Sequence, residues 1–251
     1  MEFELSEKTV LNFQRVCFDS VLEMKEKKVF YTELAYVFGL LIMAFAAAFT
    51  EKANFGMSMV VAPAYIIHLK VSEYLPFFTF GVAEYCFQGV LIVITALVMK
   101  RFKKSYLFSF VTAFLYGTLL DAAMSLIAGL PDNTMVWRIM WYILGTVFCS
   151  LAVSLFFHTY ISPEAYELIV KEFAEKFRFD INKIKTGYDF FSCALGIALS
   201  FAFFGLWHFE GVKAGTILCA FVNGFLIGRF TILLEKKFQF KDKLKIKKWF
   251  E

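Results

Sequence analysis

The feature that most constrains this chain is a succession of long apolar runs separated by short charged segments. A helix needs about 20 predominantly apolar residues to cross the hydrocarbon of a bilayer. Five stretches meet that requirement: Leu34–Thr50 (slightly short), Pro76–Met99, Ser105–Leu130, Met135–His158 and Tyr188–Trp207. A sixth, Val212–Leu234, is apolar but holds Asn223 and Arg229. Hydrophobic residues make up 59% of the 251 residues and charged ones 19%, against roughly 45–50% and 25% in an ordinary soluble domain. This excludes a disordered chain, a coiled coil, a disulfide scaffold and a soluble nucleic-acid binder. The first 33 residues carry several acids and bases before any apolar run, so the start does not read as a secretory signal.

Charge sets the orientation. With a cytoplasmic N-terminus, 21 of the 26 lysines and arginines fall in inner segments, and only Lys52, Lys70, Arg138 and Lys213 fall outside. Arg229 lies within the last run. Cytoplasmic loops carry such an excess of Lys and Arg. The sequence therefore predicts an all-α integral membrane protein with six transmembrane helices and both termini cytoplasmic. Residues 1–33 place Val10, Phe13, Cys17, Val21 and Met24 at helical spacing behind Ser6, the pattern of an amphipathic helix on the inner leaflet. Residues 235–251 form a basic tail interrupted by Phe238, Phe240, Trp249 and Phe250, suited to anionic headgroups.

The chain also resembles itself. Gly39 matches Gly145 at an offset of 106, Ser58 matches Ser162 at 104, and Glu84 matches Asp189 at 105. The run Ala113–Asp121 (AFLYGTLLD) matches Ala220–Gly228 (AFVNGFLIG) at 107. Four ordered matches at a nearly constant offset divide the membrane region into two repeats, 34–130 and 131–234. Each reads as span, short segment, span, span. The short segments are Met57–Leu69 and Ser162–Phe177; the second holds four glutamates and two lysines and cannot cross. Three crossings per repeat is an odd number, so the second repeat is inserted upside down relative to the first. Such inverted repeats are common in secondary transporters, with sites near the midplane where the repeats meet.

GLLIMAFAAAFTEKANFGMS, YGTLLD, SPEAY and GFLIG resemble motifs of the YitT/YczE family of bacterial multi-pass membrane proteins, over roughly residues 38–229. The chain departs from that pattern at Met59 and Arg229. The resemblance implies the architecture and a bacterial inner membrane rather than a substrate.

Ionisable groups inside hydrocarbon are costly and mark functional sites or paired structural ones. Glu84 and Asp121 sit at similar depth near the outer boundary with no basic residue beside them. Two nearby carboxylates cannot both ionise cheaply, so they are expected to share a proton or a cation, with Gln88 one turn below Glu84. A protonated acid hydrogen-bonded to a neighbouring helix is the plainer alternative. Asp189 and Arg229 lie in the inner third and are expected to form a structural ion pair. Tyr116 and Asn223 are repeat-equivalent and near the midplane, placed to read a polar substrate or to bond between helices. Ser58 and Ser162 are expected to cap the short helices, with an anionic substrate group conceivable there. Ala44 with Ala48, and Gly224 with Gly228, are small-xxx-small pairs suited to close helix packing. The five cysteines form no CxxC, the three histidines have no ligand spacing, and no nucleotide-binding or hydrolase motif is present. No metal, cofactor or catalytic role is expected.

The sequence thus favours a carrier for a small polar or charged solute, working by alternating access and coupled to a proton or cation. A second possibility is the substrate-binding membrane subunit of an ATP-energised importer, for which the Ala44/Ala48 face would suit a partner. A third is a scaffold or sensor. Lipid, a small-molecule or ion substrate, and a homo-oligomeric or transport-complex partner are the expected contacts. In a cysteine-free background, cysteines placed at Asn133 and Glu210 should react with an impermeant thiol reagent added outside intact cells, and one at Lys103 should not. Outside labelling at Lys103 would reverse the orientation.

Overall fold

The computed structural model describes residues 27–161, 164–179 and 181–243. It comprises eight helices and a pair of short strands, β1 (Lys28–Tyr31) and β2 (Phe238–Lys241). The helices are α1 (Thr32–Ala53), α2 (Ala62–Ser72), α3 (Phe80–Met99), α4 (Lys104–Ile127), α5 (Met135–Phe156), α6 (Ala165–Phe177), α7 (Ile181–Phe204) and α8 (Ala214–Lys237). Six of them, all but α2 and α6, are long and apolar enough to cross a membrane. At 1.5 Å per residue, α2 and α6 span only about 16 and 20 Å, well short of the roughly 30 Å hydrocarbon core.

Local sequence sets many of the boundaries. Thr79 and Thr134 precede α3 and α5, and their hydroxyls accept the backbone N–H of Val82 (3.2 Å) and Trp137 (3.4 Å), satisfying amides the first helical turn leaves unpaired. Pro63 opens α2, where its missing N–H costs nothing. Asn54, Lys100 and Arg178 stop α1, α3 and α6 in the left-handed conformation, at φ 56°, 52° and 55°.

The helices form two groups. In the first, α1 packs closely along α5, with α4 against α1 and α8 against α5. Small residues make this possible: Ala44, Ala46, Ala47 and Ala48 of α1 are buried. A Cβ on Gly145 would lie 2.6 Å from the Thr50 side chain and 3.0 Å from the Ala46 carbonyl oxygen. A Cβ on Gly39 would lie 2.6 Å from the Phe156 ring. Helices without a hydrophobic drive between them associate through such close packing. In the second group α2, α3, α6 and α7 form a ring, each packed on two others. The groups meet where α4 lies along α3 and touches α6.

On the lysine-rich face, Arg101 and Lys103 bind the buried Glu172 of α6 at 3.1 and 2.6 Å. Burial opposes ionisation of Glu172, but the hydrogen bonds from Lys103 and Arg101 outweigh it and hold the group below its ordinary range. The same face carries the strand pair. β1 and β2 run parallel with Phe30 opposite Phe240, and the Phe30 ring also meets the Phe238 ring at a tilt, centroids 5.4 Å apart. The Thr32 hydroxyl donates to Asp242 (3.0 Å) and the Lys243 N–H to Glu33 (3.0 Å). The flanks were expected as a surface helix over 1–33 and a loose basic tail from 235. Their described parts instead tie the two ends of the membrane region together. The alternation Phe238, Gln239, Phe240 is a strand period rather than a headgroup pattern. The amphipathic helix itself and Trp249 and Phe250 lie outside the described residues.

Gly145→Val should push α1 and α5 apart and cost about 1–3 kcal/mol, read as a lower melting temperature in detergent. Gly129→Ala, where a Cβ meets nothing within 4 Å, should leave it unchanged. Glu172→Gln should destabilise at pH 7. Because the Glu172 pKa is lowered on folding, the stability it contributes is present above the ordinary carboxylate range and lost on acidification. The deficit of the variant should therefore shrink as pH falls below about 4.

Candidate functional site

Glu84 and Gln88 are four residues apart on α3, hence on one face, and both are fully buried. The face turns toward the start of α6. Tyr166 donates its hydroxyl to Glu84 Oε1 at 2.7 Å, and Gln88 Nε2 approaches the same oxygen at 3.3 Å. Gln88 Oε1 accepts the backbone N–H of Ala165 at 3.1 Å, which fixes the amide orientation. The residue before Ala165 is Glu164. Its side chain does not cap α6; it is half-buried, with Oε1 shielded from solvent, within electrostatic reach of Glu84.

Two carboxyl oxygens in this cluster, Glu84 Oε2 and Glu164 Oε1, are buried and find no hydrogen-bond partner among the described residues. Leaving such an atom unpaired costs about 1–3 kcal/mol, more when charged. Burial, then the nearby Glu84 and Glu167, push the Glu164 carboxyl up to about 8, with Lys185 pulling the other way. Glu167, one turn further along α6, is also raised by burial and opposed by Lys185. Lys185 lies 3.6 Å from Asp189 one turn on. Tyr116 from α4, Tyr188 from α7 and Cys149 from α5 stand within electrostatic reach of Glu164. The cluster therefore sits at the seam of the two helix groups, with residues drawn from both halves of the chain. Two acids brought together in this way are chemically able to share a proton or bind a cation. Among the described residues, no group of three or more His, Cys, Asp or Glu side chains could hold a metal ion.

Several sequence expectations change. Asp121 does not join Glu84. It accepts the Thr79 hydroxyl at 2.6 Å and the Gly81 N–H at 2.8 Å, and so clasps the N-terminus of α3, the end of a helix that favours negative charge. Equal depth placed the two acids at one level, but they face different partners. Asp189 and Arg229 do not pair: Asp189 neighbours Lys185, while Arg229 lies 5.3 Å over the Phe225 ring. Asn223 does not face Tyr116. It accepts from Ser150 at 2.9 Å and donates to the sulfur of Cys219 at 3.0 Å, binding α8 to α5. Ser58 offers its carbonyl rather than its hydroxyl to α2, at Ala62 N–H (2.9 Å), and no side chain caps that helix. Ser162 lies outside the described residues. Ala44 and Ala48 are consumed in the core, whereas a Cβ on Gly224 or Gly228 would meet nothing within 4 Å.

Glu164 and Tyr166 escaped sequence reading. The glutamates of that segment argued only that it does not cross, although Glu164 and Glu167, three apart, already mark one acidic face. A polar cavity of about 410 Å³ lies on the opposite face, between Glu51, Lys52, Tyr65, Asp132 and Arg138.

Glu164→Gln should remove part of the pH dependence of stability. A carboxyl whose pKa rises on folding contributes stability that is present below its unfolded value and is lost as pH climbs through the folded one. The wild type should therefore lose stability between about pH 4.5 and pH 8, and the variant should lose less, measured as detergent melting temperature across that range.

The family model for a family of unknown function, DUF6198, matches residues 30–232, and the chain belongs to that family. No curated protein and no solved structure matches the chain.

Proposed function

We propose, for a chain whose family carries no assigned function, that it is a carrier for a small polar or charged solute. Glu84 and Glu164 would be its shared proton or cation site, with Gln88 and Tyr166 holding Glu84 in place. The observation that carries this reading is the pair of buried, partnerless carboxyl oxygens at the seam between two helix groups. A purely structural acid would be expected to satisfy both its oxygens.

The two halves are proposed to be inverted-topology repeats, and the helix pairing supports this. Exchange α1 with α5, α2 with α6, α3 with α7 and α4 with α8. The α1–α4 packing then becomes α5–α8, α2–α3 becomes α6–α7, and α2–α7 becomes α3–α6, and each of these packings is present. At the residue level, Gly39 against Phe156 becomes Gly145 against Thr50 at the same offset of 106. The lysine-rich face is taken as cytoplasmic, in a bacterial inner membrane, with anionic headgroups around it. The kinship with YitT/YczE-type proteins is part of the same reading. Burial of Ala44 and Ala48 removes the feature that suggested docking to an ATPase subunit.

The test is a thermal-shift screen of the full chain in detergent against small polar and charged solutes and monovalent cations, at pH 6 and pH 8. A ligand at a hundred times its Kd adds about 2.7 kcal/mol, a rise of about 5–11 °C for a chain of this size. At least one class should stabilise the wild type in a pH- or cation-dependent way, and that dependence should vanish in Glu84→Gln. If nothing stabilises the protein, and Glu84→Gln only lowers its melting temperature, the acids are structural and the scaffold reading replaces the carrier.

A further inference from the structure

The pairing that supports two repeats fails at one place. α3 packs along α4, but no comparable packing of α7 along α8 is present among the described residues, nor of α8 on α2 to match α4–α6. The ring of α2, α3, α6 and α7 thus leans on α4 and packs far less on α8.

The closed side is held backbone to backbone. A Cβ on Gly117 would lie 2.5 Å from the Gly81 carbonyl oxygen, and one on Gly81 would collide with the Gly117 carbonyl oxygen and the Asp121 carboxylate. Asp121 secures the crossing through Thr79 and Gly81. At the repeat offsets, Gly81 corresponds to Thr186, Gly117 to Gly224 and Asp121 to Gly228. Around Gly224 and Gly228, as around Gly187, no described atom lies within 4 Å of a Cβ position. α4 is buried along its length, from Tyr106 through Tyr116 to Ile127, whereas α8 is buried only at Gly215, Thr216 and Cys219 near its start. A glycine inside a helix costs about 1 kcal/mol relative to alanine. Two of them four residues apart, touching nothing, stand where a second helix fits closely.

We propose that α7 and α8 form a gate on the lysine-rich face. The α2, α3, α6 and α7 ring rocks between two positions: sealed on α4 and parted from α8, as here, or sealed on α8 and parted from α4. The α3–α4 crossing lies at the N-terminal end of α3, on the far face. Its counterpart lies at the N-terminal end of α7, on the lysine-rich face. The present arrangement is therefore closed to the far side and open between α7 and α8, with the Glu84–Glu164 pair between the two gates. Asp121 is the latch of this state, and Gly228 provides no equivalent latch for the other. The inference rests on the carrier reading, because only a carrier needs both positions.

The experiment uses the full chain in membranes, with Cys17, Cys86, Cys149, Cys193 and Cys219 replaced. Cysteines are introduced as Thr186→Cys with Gly224→Cys, with a protease site between α7 and α8, and oxidised with copper phenanthroline without any solute. A disulfide needs Cβ atoms about 3.8 Å apart, which helices that do not pack cannot offer without moving. The expected result is an intramolecular cross-link that keeps the cleaved fragments together. Its rate should rise about tenfold in Asp121→Ala, the population shift expected when the charged hydrogen bonds of the latch are lost. Gly224→Leu should leave the melting temperature unchanged, since its side chain enters open space, yet remove the pH-dependent response of any solute found. Absence of the cross-link in both backgrounds, or a cross-link only between two copies, overturns the gate. A cross-link with no stabilising solute keeps the movement and removes the carrier; a solute without a cross-link removes the gate alone.

Discussion

The close approach of α1 and α5 is the contact on which the rest of the structure depends. Between apolar helices in lipid there is little hydrophobic gain from association, so the helices are held by dispersion at short range and by hydrogen bonds. The four buried alanines of α1 and the glycines at 39 and 145 bring the two backbones close enough for that. α4 and α8 then flank this central pair, one on each side. Serine and threonine hydroxyls return to the carbonyls of their own helices, as Ser150 and Ser154 do on α5. The close contacts of the group set backbone and small residues against one another, as Gly145 against Ala46, or against an aromatic ring, as Gly39 against Phe156.

The second group is built on a different principle. Its two short helices begin at Ala62 and Ala165; both bring polar backbone ends among the long apolar helices, and the second brings glutamates as well. Such irregular backbone is tolerated only where protein surrounds it or a cavity receives it. Here the N–H of Ala165 finds Gln88, and Tyr166 finds Glu84. Glu164 finds nothing for one of its oxygens. The contrast between a closely packed central group and a ring that carries the two acids separates the part that holds the fold together from the part that carries the proposed site. It also separates the part that stays from the part proposed to move.

Much of the architecture was legible in the residues. The apolar runs predicted six long helices, because hydrocarbon demands length and apolarity whatever the neighbours; most ends fell within a few residues, but the helix expected from Tyr188 begins at Ile181, seven residues earlier. The glutamates of 164–175 excluded a crossing there. Glu84 and Gln88 were visible as polar residues in an apolar run, for the same solvation reason. Their partner was not. Counting residues from a helix end measures depth, and depth placed Asp121 beside Glu84. Partnership depends as well on which way each helix is turned and on what packs against it, and these put Asp121 on the N-terminus of α3 and Glu164 on the Glu84 side. The same limit explains Asp189 and Arg229, assigned to each other by depth on two helices that do not pack. The strand pair was missed because four residues alternating in polarity carry little signal beside a long basic tail.

What the sequence by itself determined is therefore set by transfer free energy, a property of each segment alone: the number of spans, the two non-crossing segments and the charge asymmetry between faces. What only the tertiary structure decided is the set of relations between segments distant in sequence, 40 positions apart for Asp121 and Gly81 and more for the others. These are the meeting of Glu84 with Tyr166 across 82 positions, the clasp of Asp121 on Gly81, the joining of the terminal strands and the open space beside Gly224 and Gly228. The glycine pairs at 81 and 117 and at 224 and 228 show why. Glycine permits close approach, but whether a second helix takes the place is settled by the packing of the whole, which here fills one site and leaves the other empty.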